Sequence, residues 1–305
     1  MRARIILHGN RADNEVLRTA VASCREEGFE IDVRVTWEPG DTRRLASEAV
    51  EDGVDRLIAG GGDGTVHDVL NGLLARPSNV VLGVLPLGTA NDFARGLGVA
   101  ADVPTALSDA LRLPGTPVDH GVVAGRAFAN VATGGFGTEI TVKTDPALKR
   151  ILGSAAYVLT GLTRFSSIDS FECRIRGPQD EWQGPVILLA VGNARYAGGG
   201  NLVCPDALID DGLLDVTVLP ATEDRAVAER IATFMTKGLA GFEEEIQRWR
   251  VPWLEVEPQG ELFLNLDGEP IHEPRYLFEI QPGAIRLAVP QGGPLSANAP
   301  SDALQ

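Results

Sequence analysis

The sequence predicts an α/β N-terminal domain with a parallel sheet, followed by a mainly antiparallel β-sandwich. Over the first 120 residues, short apolar runs alternate with segments whose apolar residues recur at helical spacing. That βαβα order gives a parallel sheet with helices on its faces. From about Phe128 the texture changes to strand-like runs separated by turn residues, the pattern of an antiparallel sandwich. A chain of 305 residues has room for two such domains. The expected boundaries are 1–128 and 129–287, with 288–305 completing the first domain.

In order, Arg4–Leu7 is a short apolar strand ending at Gly9. Leu17–Glu27 has helical spacing and stops at Gly28. Ile31–Trp37 alternates like a strand, and Thr42–Glu51 reads as a helix stopped by Gly53. Arg56–Ala59 is an apolar strand that runs into a glycine cluster. After it, Val66, Val69, Leu70, Leu73 and Leu74 keep helical spacing. Val80–Leu85 is a further strand, followed by a loop and a helix from about Asn91. In the second half, strands are expected at Phe171–Ile175, Val186–Val191, Leu213–Leu219, Trp253–Glu257, Glu261–Leu266, Tyr276–Ile280 and Ile285–Val289. Turns are expected at Gly177-Pro178, Asp211-Gly212 and Asp267-Gly268. Ala147–Phe165 and Glu223–Thr236 read as helices, and the Gly- and Pro-rich tail beyond Pro290 as frayed.

Composition narrows the partners. The chain carries 42 acidic and 27 basic side chains, a formal charge of −15. This disfavours nucleic acid and loose adhesion to an anionic membrane. Only Lys143, Lys149 and Lys237 are lysines, so a lysine-dependent phosphate site is poorly supplied. Cys24, Cys173 and Cys204 are odd in number and far apart, which indicates neither a disulfide framework nor a zinc site and suits a reducing cytoplasm. The N-terminal apolar run, Ile5 to Leu7, is too short for a signal peptide. The longest apolar run, Val186 to Val191, falls far short of the ~18 residues of a membrane span. Any membrane contact is expected to be peripheral.

The strongest local signal is GGGDGT at Gly60–Thr65, which follows a strand and opens a helix. Glycines let backbone N–H groups approach an anion, and the helix N-terminus adds a favourable dipole. The loop is not a Walker A motif, because GxxxxGK[ST] is absent. Nor is it GxGxxG, because His67 stands where the third glycine belongs. Asp63 inside the loop would repel phosphate unless a metal lies between them, which implies Mg²⁺. The plainer alternative is a tight strand-to-helix turn with Asp63 as N-cap. A second strand–loop–helix follows at Pro86–Arg95, PLGTANDFAR, where Thr89, Asn91 and Asp92 offer polar groups near a helix start. In a parallel sheet, two neighbouring loops of this kind face one crevice.

These motifs resemble the diacylglycerol kinase catalytic-domain family, which includes sphingosine and ceramide kinases, and within it the bacterial YegS-type lipid kinases. The similarity continues in VTWE at Val35–Glu38, ATGGFG at Ala132–Gly137 and GGG at Gly198–Gly200. It extends to CPDALIDDGLL at Cys204–Leu214 and NLDGEP at Asn265–Pro270. GGDGT alone would also suit NAD kinases and phosphofructokinases, but PLGTANDFA together with LDGEP would not. The resemblance implies a phosphofructokinase/NAD-kinase-like N-terminal domain and transfer of the γ-phosphoryl group of ATP to a lipid hydroxyl.

The resemblance also implies roles for single residues. ATP would be held by Thr36, by Gly62, Asp63, Gly64, Thr65, Val66, His67 and Asp68, and by Thr89. The family usually has Asn-Glu where this chain has His67-Asp68, and that departure bears on nucleotide affinity. Glu269 would be the base that takes the proton of the lipid hydroxyl. Asp267 would be a neighbour that orients metal or water, and Asp63 would belong to the metal network. By themselves, Asp267-Gly268 also form the commonest hairpin turn signal. Leu208, Asp211 and Leu213 match a second, structural site for Mg²⁺, with Ca²⁺ as the alternative occupant; a simple turn at Asp210-Asp211-Gly212 explains the same residues. With the base on one domain and the phosphate loop on the other, catalysis would depend on domain closure.

Residues 143–176 hold six basic and three acidic side chains, a positive island in an acidic chain. Within it, Leu148, Ile151, Leu152, Ala155, Leu159 and Leu162 lie on one helical face. Such a helix can rest on the inner face of an anionic membrane, or simply pack against a core. Two other functions remain open from sequence: a kinase of a soluble hydroxyl compound such as NAD, and a nucleotide- or lipid-binding regulator without turnover. The acceptor lipid and the oligomeric state leave no trace in the sequence.

Overall fold

The computed structural model describes residues 1–135, 170–179, 181–222 and 227–290. The expected helix at 147–165, the positive island up to residue 169, residues 223–226 and the tail beyond 290 lie outside them. The chain forms two compact units. One comprises Met1–His120, Ile209–Asp211 and the chain from Pro282 onward. The other comprises Gly121–Leu208 and Gly212–Gln281.

The first unit is an α/β domain with a parallel sheet. Its strands are β1 (Arg2–Leu7), β2 (Glu30–Val35), β3 (Arg56–Gly61) and β4 (Val81–Pro86), in the spatial order β4-β3-β1-β2. Its helices are α1 (Glu15–Glu26), α2 (Asp41–Glu51), α3 (Asp63–Leu73), α4 (Asp92–Leu97) and α5 (Val103–Arg112). All six residues of β3 are buried, as expected of a central parallel strand covered on both faces. Helix α1 starts where Asn14 Oδ1 accepts from Leu17 N at 2.9 Å. It ends before Gly28, whose φ of 94° reverses the chain. Ile5, Leu7, Leu17, Val21, Ile58, Leu85, Leu107 and Leu111 build one core on this sheet.

Helix α5 was not expected from the sequence. Asp102 caps it through Thr105 N at 2.9 Å, and Pro104 sits in its first turn. The buried Arg56 closes its other end, donating to Ala110 O at 2.8 Å and Leu113 O at 2.7 Å. β2 also stops earlier than its alternation suggests, because the N–H groups of Trp37 and Glu38 turn toward Asp41.

The second unit is antiparallel. Strand β5 (Gly115–Val123) leads into it and pairs with β6 (Arg126–Phe128). The following strands are β7 (Val131–Gly135), β8 (Phe171–Arg176), β9 (Glu181–Gly192), the short hairpin β10 (Tyr196–Ala197) with β11 (Asn201–Leu202), and β12 (Leu214–Pro220). After helix α6 (Val227–Lys237) come β13 (Gln247–Val251), β14 (Trp253–Pro258), β15 (Phe263–Leu266), β16 (Glu269–His272) and β17 (Tyr276–Ala288). The neighbours run β16-β15-β7-β9-β8-β14-β17, with β12 joining β9 and β13. β9 explains the longest apolar run of the chain: Leu189 and Val191 enter one core cluster, Leu188 and Ala190 another that includes Phe234 and Phe242. The strand is covered on both faces.

One expectation is corrected here. Tyr276–Ile280 and Ile285–Val289 are not two strands but one, β17, which runs through Pro282 and Gly283 without a reversal. Its first part pairs antiparallel with β14, and Arg286 and Leu287 pair in parallel with Val81 and Leu82 of β4. Among the described residues, no helix is long and apolar enough to cross a membrane.

Candidate active site

In the first unit, the loops at the carboxyl ends of the parallel strands are laced together by main-chain groups. His8 N donates to Gly60 O at 3.0 Å, and Thr36 N to Leu7 O at 3.0 Å. Leu87 N and Gly88 N both donate to Gly61 O, at 2.9 and 3.1 Å. Gly9 N donates to Thr36 Oγ1 at 3.1 Å. The Thr36 hydroxyl therefore joins the loops after β1 and β2.

Three of the glycines are fixed by space rather than by φ. A Cβ on Gly88 would lie 2.4 Å from Gly62 Cα, and one on Gly9 would lie 2.5 Å from Thr36 O. One on Gly61 would meet Thr65 Oγ1 at 2.2 Å. The result is a cradle in which the loops meet main chain to main chain at Gly88 and Gly9, and main chain to the Thr65 side chain at Gly61; glycine main chain of this kind can approach a phosphate group closely.

Helix α3 opens from this cradle with Gly62 as N-cap, which has no side chain to occupy the first turn. The alternative of Asp63 as N-cap is corrected by the geometry. Asp63 is the first helical residue, and its carboxylate reaches the next helix. Oδ2 accepts from Asp92 N at 3.2 Å and Oδ1 from Phe93 N at 3.0 Å, the first turn of α4. Asn91, with φ of 52°, precedes that turn and holds Gly88 by two hydrogen bonds, at 2.8 and 3.2 Å. Loop two is thus fixed to loop one by Asp63, Gly61 and Asn91 together.

The other expected nucleotide contacts divide. Gly62, Asp63 and Gly64 are half-buried at the loop, and Thr89 is exposed on the second loop. Thr65, Val66 and His67 are buried in the packing of α3. The His67 ring, 1% exposed, lies beside Asn71, whose amide donates to His67 O at 2.9 Å. The ring is thus covered by the packing around α3. Asp68 sits 3.5 Å from Arg43 on α2, a long and partly exposed ion pair. The loop before α2 is held by Asp41, whose carboxyl is lowered to about 2 by Arg44 and by the N–H groups of Trp37 and Glu38.

In the second unit, Asp267 and Gly268 join β15 to β16. Leu266 pairs with Glu269 across a two-residue turn, with φ of 50° at Asp267 and 105° at Gly268. Both residues are left-handed, as a type I′ hairpin requires. The turn reading of Asp267-Gly268 is therefore correct, and it supplies a further constraint. The buried Asp267 carboxylate accepts from three consecutive N–H groups: Ala129 at 2.8 Å, Asn130 at 3.0 Å and Val131 at 3.1 Å. These contacts tie it to the main chain of residues 129–131. Glu269, the first residue of β16, is exposed.

The anchored segment 129–131 is fastened a second time by residues that sequence reasoning missed. Asn193 Nδ2 donates to Ala129 O at 2.9 Å, and Asn193 N and Ala194 N both donate to Asn130 O at 2.9 Å. Asn130 Nδ2 donates to Tyr196 O at 2.7 Å. Both asparagines are buried, at 4% and 1% exposure. A buried amide in an apolar setting is the one signal that could have marked them.

Leu208, Asp211 and Leu213 flank the turn at Ile209-Asp210, whose Ile209 O accepts from Asp119 N at 2.7 Å. Gly212, at φ of 73°, redirects the chain after Asp211. Among the described residues, no three His, Cys, Asp or Glu side chains gather into a metal cluster. A cation at this turn would draw on main-chain carbonyls and the Asp211 carboxylate, hard oxygen donors of the kind Mg²⁺ and Ca²⁺ accept. The three cysteines are buried and unpaired. Burial pushes the Cys173 thiol up to about 12 and raises that of Cys204 as well, so both stay protonated.

Residues 2–123 match the model of the diacylglycerol kinase catalytic domain, and residues 129–289 that of the YegS C-terminal NAD kinase beta sandwich-like domain. A protein of Pseudomonas aeruginosa named "Probable lipid kinase YegS-like" is 46% identical over 298 residues, 98% of this chain and 97% of the relative. A protein of the same name from Pseudomonas syringae pv. syringae is 46% identical over 299 residues, with the same coverage. A crystal structure of a diacylglycerol kinase from Bacillus anthracis superposes with a TM-score of 0.77 at 25% identity, over 95% of this chain and 97% of that one. With both of its halves matched and close relatives along nearly its full length, the chain belongs to the diacylglycerol kinase catalytic-domain family, among its YegS-like members.

Proposed function

We propose that the chain is an ATP-dependent lipid kinase that transfers the γ-phosphoryl group of ATP directly to a lipid hydroxyl, such as that of diacylglycerol or phosphatidylglycerol. The observation that carries this reading is the main-chain cradle at Gly61, Gly62 and Gly88, in a chain whose relatives are named as lipid kinases. The N-terminus of α3 and the glycine loop would hold the phosphates, with Thr36 and Thr89 beside them. Glu269, exposed on β16, would take the proton of the lipid hydroxyl. The alkoxide oxygen then bonds to the γ-phosphorus as the β,γ-bridge bond breaks, and ADP leaves. Asp267 would fix the turn from which Glu269 projects.

Mg²⁺ bound with ATP would neutralise the charge developing on the phosphate oxygens. Asp63 is the carboxylate of the phosphate loop that would face that ion. Leu208 and Leu213, through their carbonyls, and Asp211, through its carboxylate, would hold a second, structural cation. Contact with the inner membrane face would be peripheral, through residues 143–176.

The test is radiolabelled ATP with the purified full chain and a total lipid extract, followed by identification of the labelled species. Label in a lipid, lost in Glu269→Gln, is the expected result. Phosphorylation of NAD without lipid, or ATP binding without transfer to any lipid, would overturn the reading.

A further inference from the structure

Trp37 is the most exposed large apolar side chain among the described residues, at 94%; the next is Val16 at 56%. An indole left in water forgoes the burial that ordinarily places tryptophan in cores and interfaces. Its backbone, in contrast, is tied down. Thr36 N bonds to Leu7 O at 3.0 Å, and Trp37 N and Glu38 N bond to Asp41 Oδ2 at 2.8 and 3.1 Å. Asp41 is itself buried and held by Arg44 at 2.6 Å. A fixed loop therefore presents a bare aromatic face.

The place of that face is informative. Trp37 follows Thr36, whose hydroxyl bonds the loop after β1. β2 lies beside β1, and β1 beside β3, which ends in the glycine loop. Two strand spacings separate the end of β2 from the phosphate cradle, about 10 Å along the same edge of the sheet. That is the scale on which a nucleotide extends from its terminal phosphates to its base. We infer that Trp37 is the stacking platform for the base of the nucleotide whose phosphates the glycine loop holds, an inference that rests on the nucleotide-binding reading above. Stacking on an aromatic face tolerates different bases, with the larger purines gaining most. A membrane is the poorer partner for this indole. The exposed acidic residues of this stretch, Glu30 and Glu38, are the wrong charge for an anionic surface.

The test compares wild type, Trp37→Ala and Trp37→Phe in the full chain, using calorimetric titration with ATP and with inorganic tripolyphosphate. Loss of one base-stacking contact is expected to weaken ATP binding about tenfold in Trp37→Ala. KM for ATP should rise by a similar factor, more than kcat falls. Trp37→Phe should recover most of the loss, and tripolyphosphate should bind all three proteins equally. Unchanged ATP affinity in Trp37→Ala would overturn the inference while leaving the nucleotide reading intact. So would an equal loss for tripolyphosphate, or a loss seen only in binding to phosphatidylglycerol vesicles. If wild type bound neither ATP nor tripolyphosphate, the nucleotide reading would fall and this inference with it.

Discussion

Asp63 starts helix α3 yet caps helix α4, its carboxylate accepting from the main-chain N–H of Phe93 at 3.0 Å and of Asp92 at 3.2 Å. This relationship explains how an acidic side chain is held inside the glycine loop. The positive end of α4 offsets part of its charge, and a carboxylate has further lone pairs for a cation. Asp63→Ala should lower stability by about 1 kcal/mol through the lost cap. Asp63→Asn keeps an acceptor and should lose less stability, while phosphoryl transfer falls at least about a hundredfold. Thermal melts and kcat measured on both variants separate the two roles.

Gly88 and Gly62 approach so closely that a methyl group between them must push the two loops apart. Gly88→Ala should therefore fold but bind ATP more than about tenfold more weakly. Thr89→Ala, one residue away on an exposed position, should weaken binding only a few-fold. Calorimetric titration with ATP checks both. Equal effects would mean that the close approach of the loops does not shape the site.

Asp267 and Glu269 sit two residues apart with opposite environments, and their substitutions should separate stability from turnover. Asp267→Ala strands three buried N–H groups and should cost roughly 2–4 kcal/mol in denaturant unfolding. Glu269→Gln is a surface change and should stay within about 0.5 kcal/mol of wild type. Its turnover should nevertheless fall by about a hundredfold or more, with ATP binding retained. Asn193→Ala, which releases Ala129 O, should resemble a mild Asp267→Ala.

His120 is buried, and burial lowers its pKa to about 4. In the unfolded chain it takes up its proton near pH 6.5. Below that pH the unfolded state binds a proton that the folded state refuses. The stability His120 contributes is thus complete above about pH 6.5 and is lost as pH falls toward 4, by about 3 kcal/mol at most. His120→Phe should flatten unfolding free energy against pH across that window. A profile identical to wild type would show that another group governs it.

The strands and helices of the first sheet were legible because its parallel strands are apolar runs and its helices keep strict spacing. Helix α5 hid behind Pro104, and β5 behind Pro117, Asp119 and Gly121, which break the alternation of a strand. The break between Tyr276–Ile280 and Ile285–Val289 reads as the end of a strand, yet β17 spans it, because its two parts find different partners. At the site, the glycines were legible as a pattern, since their spacing survives in one dimension. The second attachment of Asp63, to α4, was not, because its partners are main-chain groups that any residue carries. The same holds for Asn193, whose acceptor Ala129 O lies 64 residues away. Burial of His67 was equally hidden, since a polar residue on a helix can face either side.

The strand shared between the units also governs how the chain can be divided. Residues 1–120 alone would lack the stretch around Arg286 and Leu287 that pairs with β4. Val81 and Leu82 would then stand on an open sheet edge, an invitation to strand-by-strand association with other copies. No single cut in the polypeptide yields the first unit intact, because Ile209–Asp211 and the segment from Pro282 both return to it. Expression of either half by itself should give insoluble material, and soluble separation would require a circular permutation that brings the returning strand back beside β4.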